Sequence, residues 1–426
     1  MVASGAIIDL DIEKPAAGGR MLARHKGQVA LVRGAIPGER VRARVERASR
    51  SVIYAETVDV ISASVDRREA TADWRCGGSV FSHVTYARQV RLKAEIIADA
   101  MGRIARAPLG GLPEVIASPE HGYRMRARLH VRDGRVGFFR EGTHDVCDAS
   151  ATGQLLPASG LWISAFEELL GRHHLRGVIS IEIAENVPAD QRACHLELSV
   201  GEEPARYEVV ASTGALTGLS AQAGDRTTAT RVAGTPQVVD IVHVREGDPT
   251  SALRLGRDVR AFFQGNRFLL ERLVRLVLSL VPVGPVVDLY AGVGLFGLSV
   301  AAAGGEGVAV VEGDAVSGGD LDNNAAPFGA RVTVHRRSVE TFLQSAGRLN
   351  DATAIVDPPR TGLSKDALGW LVTAAPRRIV YVSCDVATLA RDTRLLLDGG
   401  YSLNEMVGID LFPNTAHVET VAAFSR

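Results

Sequence analysis

The sequence predicts a multidomain protein with a small, OB-like N-terminal β-barrel, an α+β central domain and a C-terminal α/β domain with a doubly wound, Rossmann-like sheet. Three observations support this prediction. The chain has 426 residues, more than one hydrophobic core usually accommodates. Short strands with turn residues fill its first part, and strands alternate with helices in its last part. We therefore expect domains at residues 1–62, 63–250 and 251–426.

The first 62 residues carry the pattern of short strands. Residues 41–45 alternate apolar and polar side chains as a half-buried strand does, and Pro37 with Gly38 marks a turn. Nine Lys or Arg residues but only two acids lie between Arg20 and Arg50. This basic excess suits the phosphates of a nucleic acid, although solvated strand faces can have the same composition.

The central region is predicted to be mixed. Apolar residues at helical spacing predict a helix over residues 86–103, and alternating patterns predict strands over residues 123–139 and 178–210. Six arginines between Arg124 and Arg140 are interleaved with aromatic residues, which favours phosphate contact together with base stacking. Two basic regions ahead of an enzymatic half favour a nucleic acid as the partner.

The predicted pattern of secondary structure changes near residue 250. An amphipathic helix is predicted over residues 266–280, and apolar strands alternate with helices from there to the end. The strands are expected at residues 286–290, 307–311, 331–335, 353–356 and 379–382. This βαβ pattern predicts a doubly wound parallel sheet, whose ligands bind at the carboxyl ends of the strands.

A glycine-rich loop follows the first strand of this domain. Gly292, Gly294 and Gly297 spell G-x-G-x-x-G, and Glu312 lies where an acid can accept hydrogen bonds from ribose hydroxyls. An enzyme that binds NAD has the same pattern. Asp288 precedes the loop, however, and its carboxylate would repel a pyrophosphate but attract the ammonium and sulfonium groups of S-adenosylmethionine. We therefore favour S-adenosylmethionine as the cofactor and keep NAD as the alternative.

Two polar residues follow neighbouring strands of the predicted sheet. Asp357 comes directly after the strand at 353–356, and Cys384 follows the strand at 379–382. Both strands should end at the same edge of the sheet, beside the glycine-rich loop. A lone cysteine after a strand is more often a small buried residue, but its position at the cofactor edge predicts a nucleophile.

A thiolate at this edge suits methylation of a pyrimidine ring. Carbon C5 of uracil is a poor nucleophile until a thiolate adds at C6; C5 can then take a methyl group from a sulfonium, and a base removes the C5 proton. Glu419 lies on an apolar alternating segment next to His417, which predicts partial burial and a pKa suited to that base. The alternative for Glu419 is a solubilising charge on an edge strand.

Three C-terminal motifs resemble those of the RNA 5-methyluridine methyltransferases. They are Asp357-Pro-Pro-Arg360, residues 381–392 (YVSCDVATLARD) and residues 412–421 (FPNTAHVETV). Residues 262–266 (FFQGN) resemble the segment that opens the family's catalytic domain, and residues 18–41 are similar to its TRAM domain, an RNA-binding β-barrel. The similarity thus covers both ends and most of the chain.

The resemblance implies roles for individual residues. Cys384 would be the nucleophile and Glu419 the base. The pocket for cofactor and substrate would be lined by Gln264, Tyr290, Glu312 and Asp357, in addition to Asp288, Gly292 and Gly294 of the loop. Residues 123–140 would belong to the RNA-contacting central domain. The substrate would be a ribosomal or a transfer RNA, with ribosomal RNA slightly favoured by the TRAM-like segment.

The chain departs from the family at its cysteines. Many members with a TRAM domain hold an iron–sulfur cluster on four cysteines, but only Cys76 remains of the first three, and Cys147 lies near the fourth position, where Thr152 aligns better. Two thiolates cannot hold such a cluster, so we expect none, and a middle domain held by packing alone. Four cysteines without a C-x-x-C pair argue against a disulfide scaffold and fit a reducing cytoplasm. We also expect no metal ion, no membrane span and a monomer.

Three other functions stay open at this point. An RNA base-amino methyltransferase would use the Asp-Pro-Pro segment and need no cysteine. An oxidoreductase would bind NAD on the glycine-rich loop. A non-catalytic RNA-binding protein would need neither Cys384 nor Glu419, and the presence of both residues argues against it.

Overall fold

The N-terminal region forms a closed β-barrel, as the sequence predicted. The computed structural model describes residues 2–214 and 216–426. The barrel has the strand order β1-β2-β3-β5-β4, with β3 and β5 parallel to each other. Its strands are β1 (Ile7–Pro15), β2 (Met21–His25), β3 (Gln28–Arg33), β4 (Arg40–Ala48) and β5 (Val52–Ser62). Alternate residues of β1 and β4 point into the barrel, which is why the sequence alternates there.

The segment after the barrel packs against the C-terminal domain. Helix α1 (Tyr86–Ala100) continues into a π-helical turn (Met101–Ala105), so the helix predicted over 86–103 is confirmed. On this segment Ile97 and Met101 share a small core with Val386 and Val418. Strand β6 (Val115–Ile116) then joins the edge of the C-terminal sheet.

The central region is a seven-stranded sheet with the order β13-β12-β11-β10-β7-β8-β9, covered on one face by a helix. Its elements are β7 (Arg126–Arg132), β8 (Arg135–Phe139), β9 (Val146–Asp148), α2 (Pro157–Arg172), β10 (Val178–Glu185), β11 (Arg192–Leu198), β12 (Gly218–Ala223) and β13 (Thr230–Gly234). Trp162 and Phe166 of the helix share a core with Ile181 and Leu196 of the sheet. Contrary to the prediction of strands up to residue 210, Pro204–Thr213 is a run of 3₁₀ turns.

The C-terminal region contains the doubly wound sheet. Its order is β18-β17-β16-β19-β20-β22-β21-β6. After a hairpin of β14 (Gln237–His243) and β15 (Ala252–Asp258), the elements are α3 (Leu270–Ser279), β16 (Val286–Leu289), α4 (Leu295–Ala302), β17 (Val308–Glu312), α5 (Ala315–Ala325), β18 (Val332–Arg336), α6 (Val339–Ser345), β19 (Thr353–Val356), α7 (Lys365–Ala374), β20 (Arg378–Ser383), α8 (Val386–Asp398), β21 (Ser402–Ile409) and β22 (Glu419–Ser425).

The five strands β16 to β20 are parallel, and β22 enters antiparallel between β20 and β21. The strand order reverses between β16 and β19, which is where open α/β sheets bind their ligands. The predicted three-part fold class is therefore confirmed. No helix in the two described ranges combines the length and apolar composition that a membrane span requires.

The exact domain limits at residues 62 and 250 stay predictions. The hairpin of β14 and β15 crosses residue 250, and Val242 and Leu253 of this hairpin share one core with α3 and β16. A limit ahead of β14 would keep the hairpin in one piece.

Cys76 and Cys147 are joined by a disulfide with a Cα–Cα distance of 6.2 Å. The expectation that packing alone holds the middle domain is therefore wrong, and the cysteine spacing, which argued against a disulfide scaffold, did not indicate this one bond. The bond connects the segment after the barrel to β9, across 71 residues of sequence. Sequence spacing could not reveal it, because the two residues meet only when residues 76 and 140 pair in an isolated bridge at the edge of the central sheet.

Glu185 connects the central sheet to the C-terminal domain. Its buried carboxylate accepts hydrogen bonds from Arg192 of β11 at 2.6 Å, from Arg267 at 2.7 Å and from Ser159 of α2 at 2.6 Å. Two buried guanidinium groups thus share one carboxylate. Removing it would leave both cations buried without compensation.

We expect Glu185→Gln to lower the free energy of unfolding by about 3–5 kcal/mol, because the amide cannot neutralise either arginine. Urea-induced unfolding followed by circular dichroism measures the change. Glu168→Gln, on the exposed face of α2, is the matched control and should alter stability by less than about 0.5 kcal/mol. Equal stability of the two variants would refute the role of Glu185.

Candidate active site

The carboxyl edge of the sheet brings Asp357, Cys384 and Glu419 together. Asp357 directly follows β19, whose last residue is in register with Tyr381 of β20. Thr420 of β22 pairs with Ser383, the last residue of β20, so the next antiparallel position sets Cys384 opposite Glu419. The sequence placed Asp357 and Cys384 at one edge, and the structure adds that β22 brings Glu419 to the same edge, opposite the cysteine.

Cys384 lies in the turn between β20 and α8. The helix begins directly after Asp385, whose Oδ1 accepts hydrogen bonds from Ala387 N at 3.0 Å and Thr388 N at 2.9 Å. This cap fixes the turn, so the thiol is held at the sheet edge and remains partly accessible. By contrast, the unpaired Cys194 is buried in the central sheet.

The acidic residues around Cys384 make it a weak acid. Burial and the charges of Glu419 and Asp357 together raise the pKa of the Cys384 thiol to about 12, against the opposing charge of Arg360. Burial and then the charge of Asp357 raise the pKa of Glu419 well above its usual range. Burial also raises the pKa of Asp357 to about 7, against a 3.3 Å hydrogen bond donated by Gln264 Nε2. The thiol is therefore protonated at neutral pH, with two nearby carboxyl groups whose raised pKa values suit proton transfer.

The glycine-rich loop has the backbone conformation of a ligand cradle. Tyr290, Gly292 and Gly294 have φ values of 63°, 57° and 101°. A Cβ at Gly292 would meet nothing within 4 Å, so this glycine borders open space. A Cβ at Gly297 would lie 2.6 Å from a methyl carbon of Val310, so that glycine allows α4 to pack against β17.

Two carboxylates stand on either side of this loop. Asp288 is fully buried; its Oδ2 accepts a hydrogen bond from Gly297 N at 2.7 Å, and its Oδ1 has no partner among the described residues. Burial raises the pKa of Asp288 to about 8, and the charges of Asp357 and Glu312 contribute. Glu312 Oε2 accepts from Gly292 N at 2.8 Å. Asp288, Glu312 and Asp357 form no ion pair within the described ranges, so their arrangement suits a cationic ligand and disfavours a pyrophosphate.

A cleft of about 530 Å³ leads from the surface to Cys384. One side is the barrel, with Lys14 and Arg24, and the other is the π-helical turn that follows α1, with Arg103. Its volume lies within the range of ordinary ligand sites. At this mouth Lys14 and Arg103 pair with Asp99. Arg24 pairs with Glu13, so the positive charge is partly compensated. The cleft has room for a single extruded base rather than a duplex.

The lining of this cleft includes a contact that the sequence did not predict. Arg360 Nη2 lies 3.0 Å from Nδ1 of His417. Burial and the charge of Arg360 lower the pKa of His417 to about 4, so the imidazole is neutral and accepts this hydrogen bond. The sequence named both residues only as parts of separate motifs, and no local pattern indicates that they meet.

The basic regions expected to bind nucleic acid are partly used in internal ion pairs. In the barrel, Arg20 Nη1 lies 2.9 Å from Glu46, and Arg33 also pairs with Glu46. In the central sheet, Arg126 lies 2.9 Å from Glu182. The composition of each region thus overstated its free positive charge.

We expect iodoacetamide to modify Cys384 more than tenfold more slowly at pH 8.5 than it modifies a free cysteine, because a thiol with a pKa of about 12 is almost fully protonated there. Glu419→Gln removes the nearest negative charge, so it should lower the thiol pKa and speed the reaction. Mass spectrometry of the alkylated peptide measures both rates. Glu168→Gln should react like the unmodified protein. If the alkylation rate of the unmodified protein reached half of its maximum near pH 8.5, the raised pKa of Cys384 would be contradicted.

Comparisons with known proteins agree with this geometry. A family model described as tRNA (uracil-5-)-methyltransferase matches residues 340–426, and a TRAM domain model matches residues 2–58. A 23S rRNA (uracil(1939)-C(5))-methyltransferase of Pseudomonas fluorescens is 33% identical over 97% of this chain and 91% of its own length. An uncharacterised RNA methyltransferase of Streptomyces avermitilis is 32% identical over 98% of both chains.

A solved structure shares the whole fold. The tRNA (uracil-54, C5)-methyltransferase of Pyrococcus abyssi, in complex with S-adenosyl-L-homocysteine, superposes with a TM-score of 0.77 over 97% of this chain and 99% of its own, at 23% identity. The matched TRAM model coincides with the barrel, and the matched methyltransferase model contains Asp357, Cys384 and Glu419. The chain belongs to the RNA 5-methyluridine (uracil-C5) methyltransferase family.

Proposed function

We propose that this protein methylates carbon C5 of a uridine in RNA, with S-adenosylmethionine as the methyl donor. The observation that carries the proposal is the pairing of Ser383 with Thr420, which sets Cys384 opposite Glu419 at the edge of the sheet that also bears the glycine-rich loop. A nucleophile and a base on the same edge suit a reaction in which one group adds to a ring and the other removes a proton from it.

The residues of the loop fit the cofactor. The partnerless Oδ1 of buried Asp288 suits an ammonium donor, and Glu312 is placed to accept hydrogen bonds from ribose hydroxyls. Gln264 and Tyr290 would complete the wall between cofactor and base, and Gly292 and Gly294 would let the backbone approach the ligand. When bound, S-adenosylmethionine supplies an electrophilic methyl group.

The proposed steps assign one task to each residue. Cys384 Sγ loses its proton, for which Asp357 is a candidate acceptor, and adds to C6 of the uracil, so that electron density moves to C5. The C5 carbon forms a bond to the methyl group, and S-adenosylhomocysteine leaves. Glu419 then removes the C5 proton, the C5–C6 double bond returns, and the Cys384 thiolate is expelled. Burial strengthens Glu419 as the base of the last step, because a carboxylate held in a dry site is a stronger base than one in water.

We propose ribosomal RNA as the substrate class. Relatives from Pseudomonas fluorescens, Halomonas elongata and Alkalilimnicola ehrlichii, at 31–33% identity, are named as 23S rRNA (uracil(1939)-C(5))-methyltransferases. The enzyme would act as a monomer in the cytoplasm. In vitro methylation of 23S rRNA and of transfer RNA transcripts, read by mass spectrometry of digested nucleosides, separates the two classes. Methylation of transfer RNA alone would overturn this assignment.

We expect Cys384→Ala to abolish 5-methyluridine formation, because C5 of an unactivated uracil does not attack the methyl group. Glu419→Gln should still form the covalent bond and transfer the methyl group, yet keep the RNA attached, because no base removes the C5 proton. Denaturing gel electrophoresis with labelled RNA detects the attached species. Retained methylation in Cys384→Ala would favour the base-amino methyltransferase alternative.

We expect S-adenosylhomocysteine to bind and NAD to fail to bind in isothermal titration calorimetry, because the loop is lined with uncompensated acids. Glu312→Ala should weaken S-adenosylhomocysteine binding by about tenfold or more, as a lost hydrogen-bonded charge does. Glu168→Gln should bind normally. Tight binding of NAD would contradict the cofactor assignment and support an oxidoreductase.

A further inference from the structure

The loop between β21 and β22 is held by groups from several separate segments. We call residues 410–418 the base loop, because it carries His417 and leads directly into Glu419. Four consecutive carbonyl oxygens of this loop accept hydrogen bonds from elsewhere in the chain. The pairs are Leu411 O with Asn266 Nδ2 (3.1 Å), Phe412 O with Lys93 Nζ (2.9 Å), Pro413 O with Tyr123 Oη (3.3 Å) and Asn414 O with Phe81 N (2.8 Å).

Helix α1 makes the strongest of these attachments. Lys93 and Asp410 form an ion pair in which both side chains are fully buried. One turn earlier, Gln89 Oε1 accepts a hydrogen bond from Asn414 N at 2.8 Å, and its Nε2 lies 2.9 Å from Asn414 Oδ1. We call Gln89 and Lys93 the α1 clasp. Both residues lie on the buried stripe of α1, where apolar side chains would be expected.

The chemistry of the clasp favours a positioning role over a purely stabilising one. A buried ion pair contributes little net stability compared with an apolar pair of similar volume, because both charges lose their hydration. The bonds that the clasp makes are directional, however, and they end on one short loop. Asn414 has a φ of 63°, a conformation that its two bonds to Gln89 hold in place.

The attachment point is close to the proposed base. Asp410 directly follows Ile409, and Ile409 is the residue of β21 that pairs with Glu419. A displacement of Asp410 would therefore move Ile409 and, with it, the paired residue Glu419. His417, which contacts Arg360 on the floor of the cleft, lies in the same loop.

We propose that Gln89 and Lys93 are positioning residues for proton removal: they hold the base loop so that Glu419 reaches the C5 hydrogen of a base bonded to Cys384. This inference rests on the proposed function. It assigns to α1, which lies outside the three C-terminal motifs of the sequence, a positioning part in the geometry of the last chemical step.

The test uses the double variant Lys93→Met/Asp410→Leu, which removes both buried charges and leaves neither partner alone. We expect kcat for RNA methylation to fall by about 10- to 100-fold, the effect of a misplaced reacting group, while KM for RNA changes by less than about threefold. With ordinary uridine RNA, a covalent enzyme–RNA species should accumulate on a denaturing gel. The unmodified protein should turn over without accumulating it.

A second variant covers the case in which the double variant does not fold. Asn414→Gly keeps the left-handed backbone accessible but deletes the side-chain oxygen that lies against Gln89. It should show the same fall in kcat and the same accumulated species. Leu196→Ala, in the core of the central sheet, is the control for lost stability and should retain normal kcat after correction for folded protein.

Two outcomes overturn the inference in different ways. In the first outcome, Lys93→Met/Asp410→Leu and Asn414→Gly both lower the melting temperature but leave kcat unchanged and accumulate no covalent species. That result would show that the clasp only stabilises the fold. If the unmodified protein forms neither 5-methyluridine nor a stable adduct with 5-fluorouridine RNA, the proposed function itself fails, and the inference falls with it.

Discussion

The antiparallel pairing of β22 with β20 is the constraint on which the active site depends. In a purely parallel sheet, the residue at the start of β22 would lie at the amino edge, far from the cofactor loop. Because β22 runs in the opposite direction, its first residue, Glu419, lies at the carboxyl edge beside Cys384. One reversed strand thus brings Glu419, the proposed base, to Cys384, the proposed nucleophile, which follows the neighbouring strand. The base loop and the α1 clasp secure the turn that makes this reversal possible.

Carboxyl groups dominate the electrostatics of the candidate site. Asp288, Glu312, Asp357 and Glu419 are not paired with Lys or Arg in the described parts of the chain, and burial raises the pKa of three of them. Such a cluster disfavours its own ionisation until a positive ligand arrives. A cationic methyl donor would restore charge balance, and the neutral product left after methyl transfer would remove part of it. Burial and these acids raise the pKa of Cys384, so the thiol is protonated at neutral pH and reacts slowly with other electrophiles.

Much of the fold was predicted from periodicity, and the position of Cys384 at the sheet edge was predicted from its place after a strand; its role as nucleophile stays a prediction. The glycine-rich loop and Asp357 were found in the same way, since each directly follows an apolar run of the right length. The Cys76–Cys147 disulfide, the contact of Arg360 with His417 and the clasp on α1 were not predicted. All three join residues that are far apart in sequence, and none leaves a local pattern. The clasp is visible in the sequence in one respect. Gln89 and Lys93 are polar residues at positions of α1 where the helical spacing predicts apolar residues.

The central claim is that the reacting atom is C5 of uracil and that its hydrogen is removed by this protein. Release of tritium from RNA that contains 5-³H-uridine tests it most directly. With S-adenosylmethionine present, we expect one tritium to appear in water for each methyl group transferred, and Glu419→Gln to transfer methyl groups without matching tritium release. Methyl transfer by the unmodified protein without any loss of tritium would contradict the account, because it would place the new methyl group on an atom other than C5.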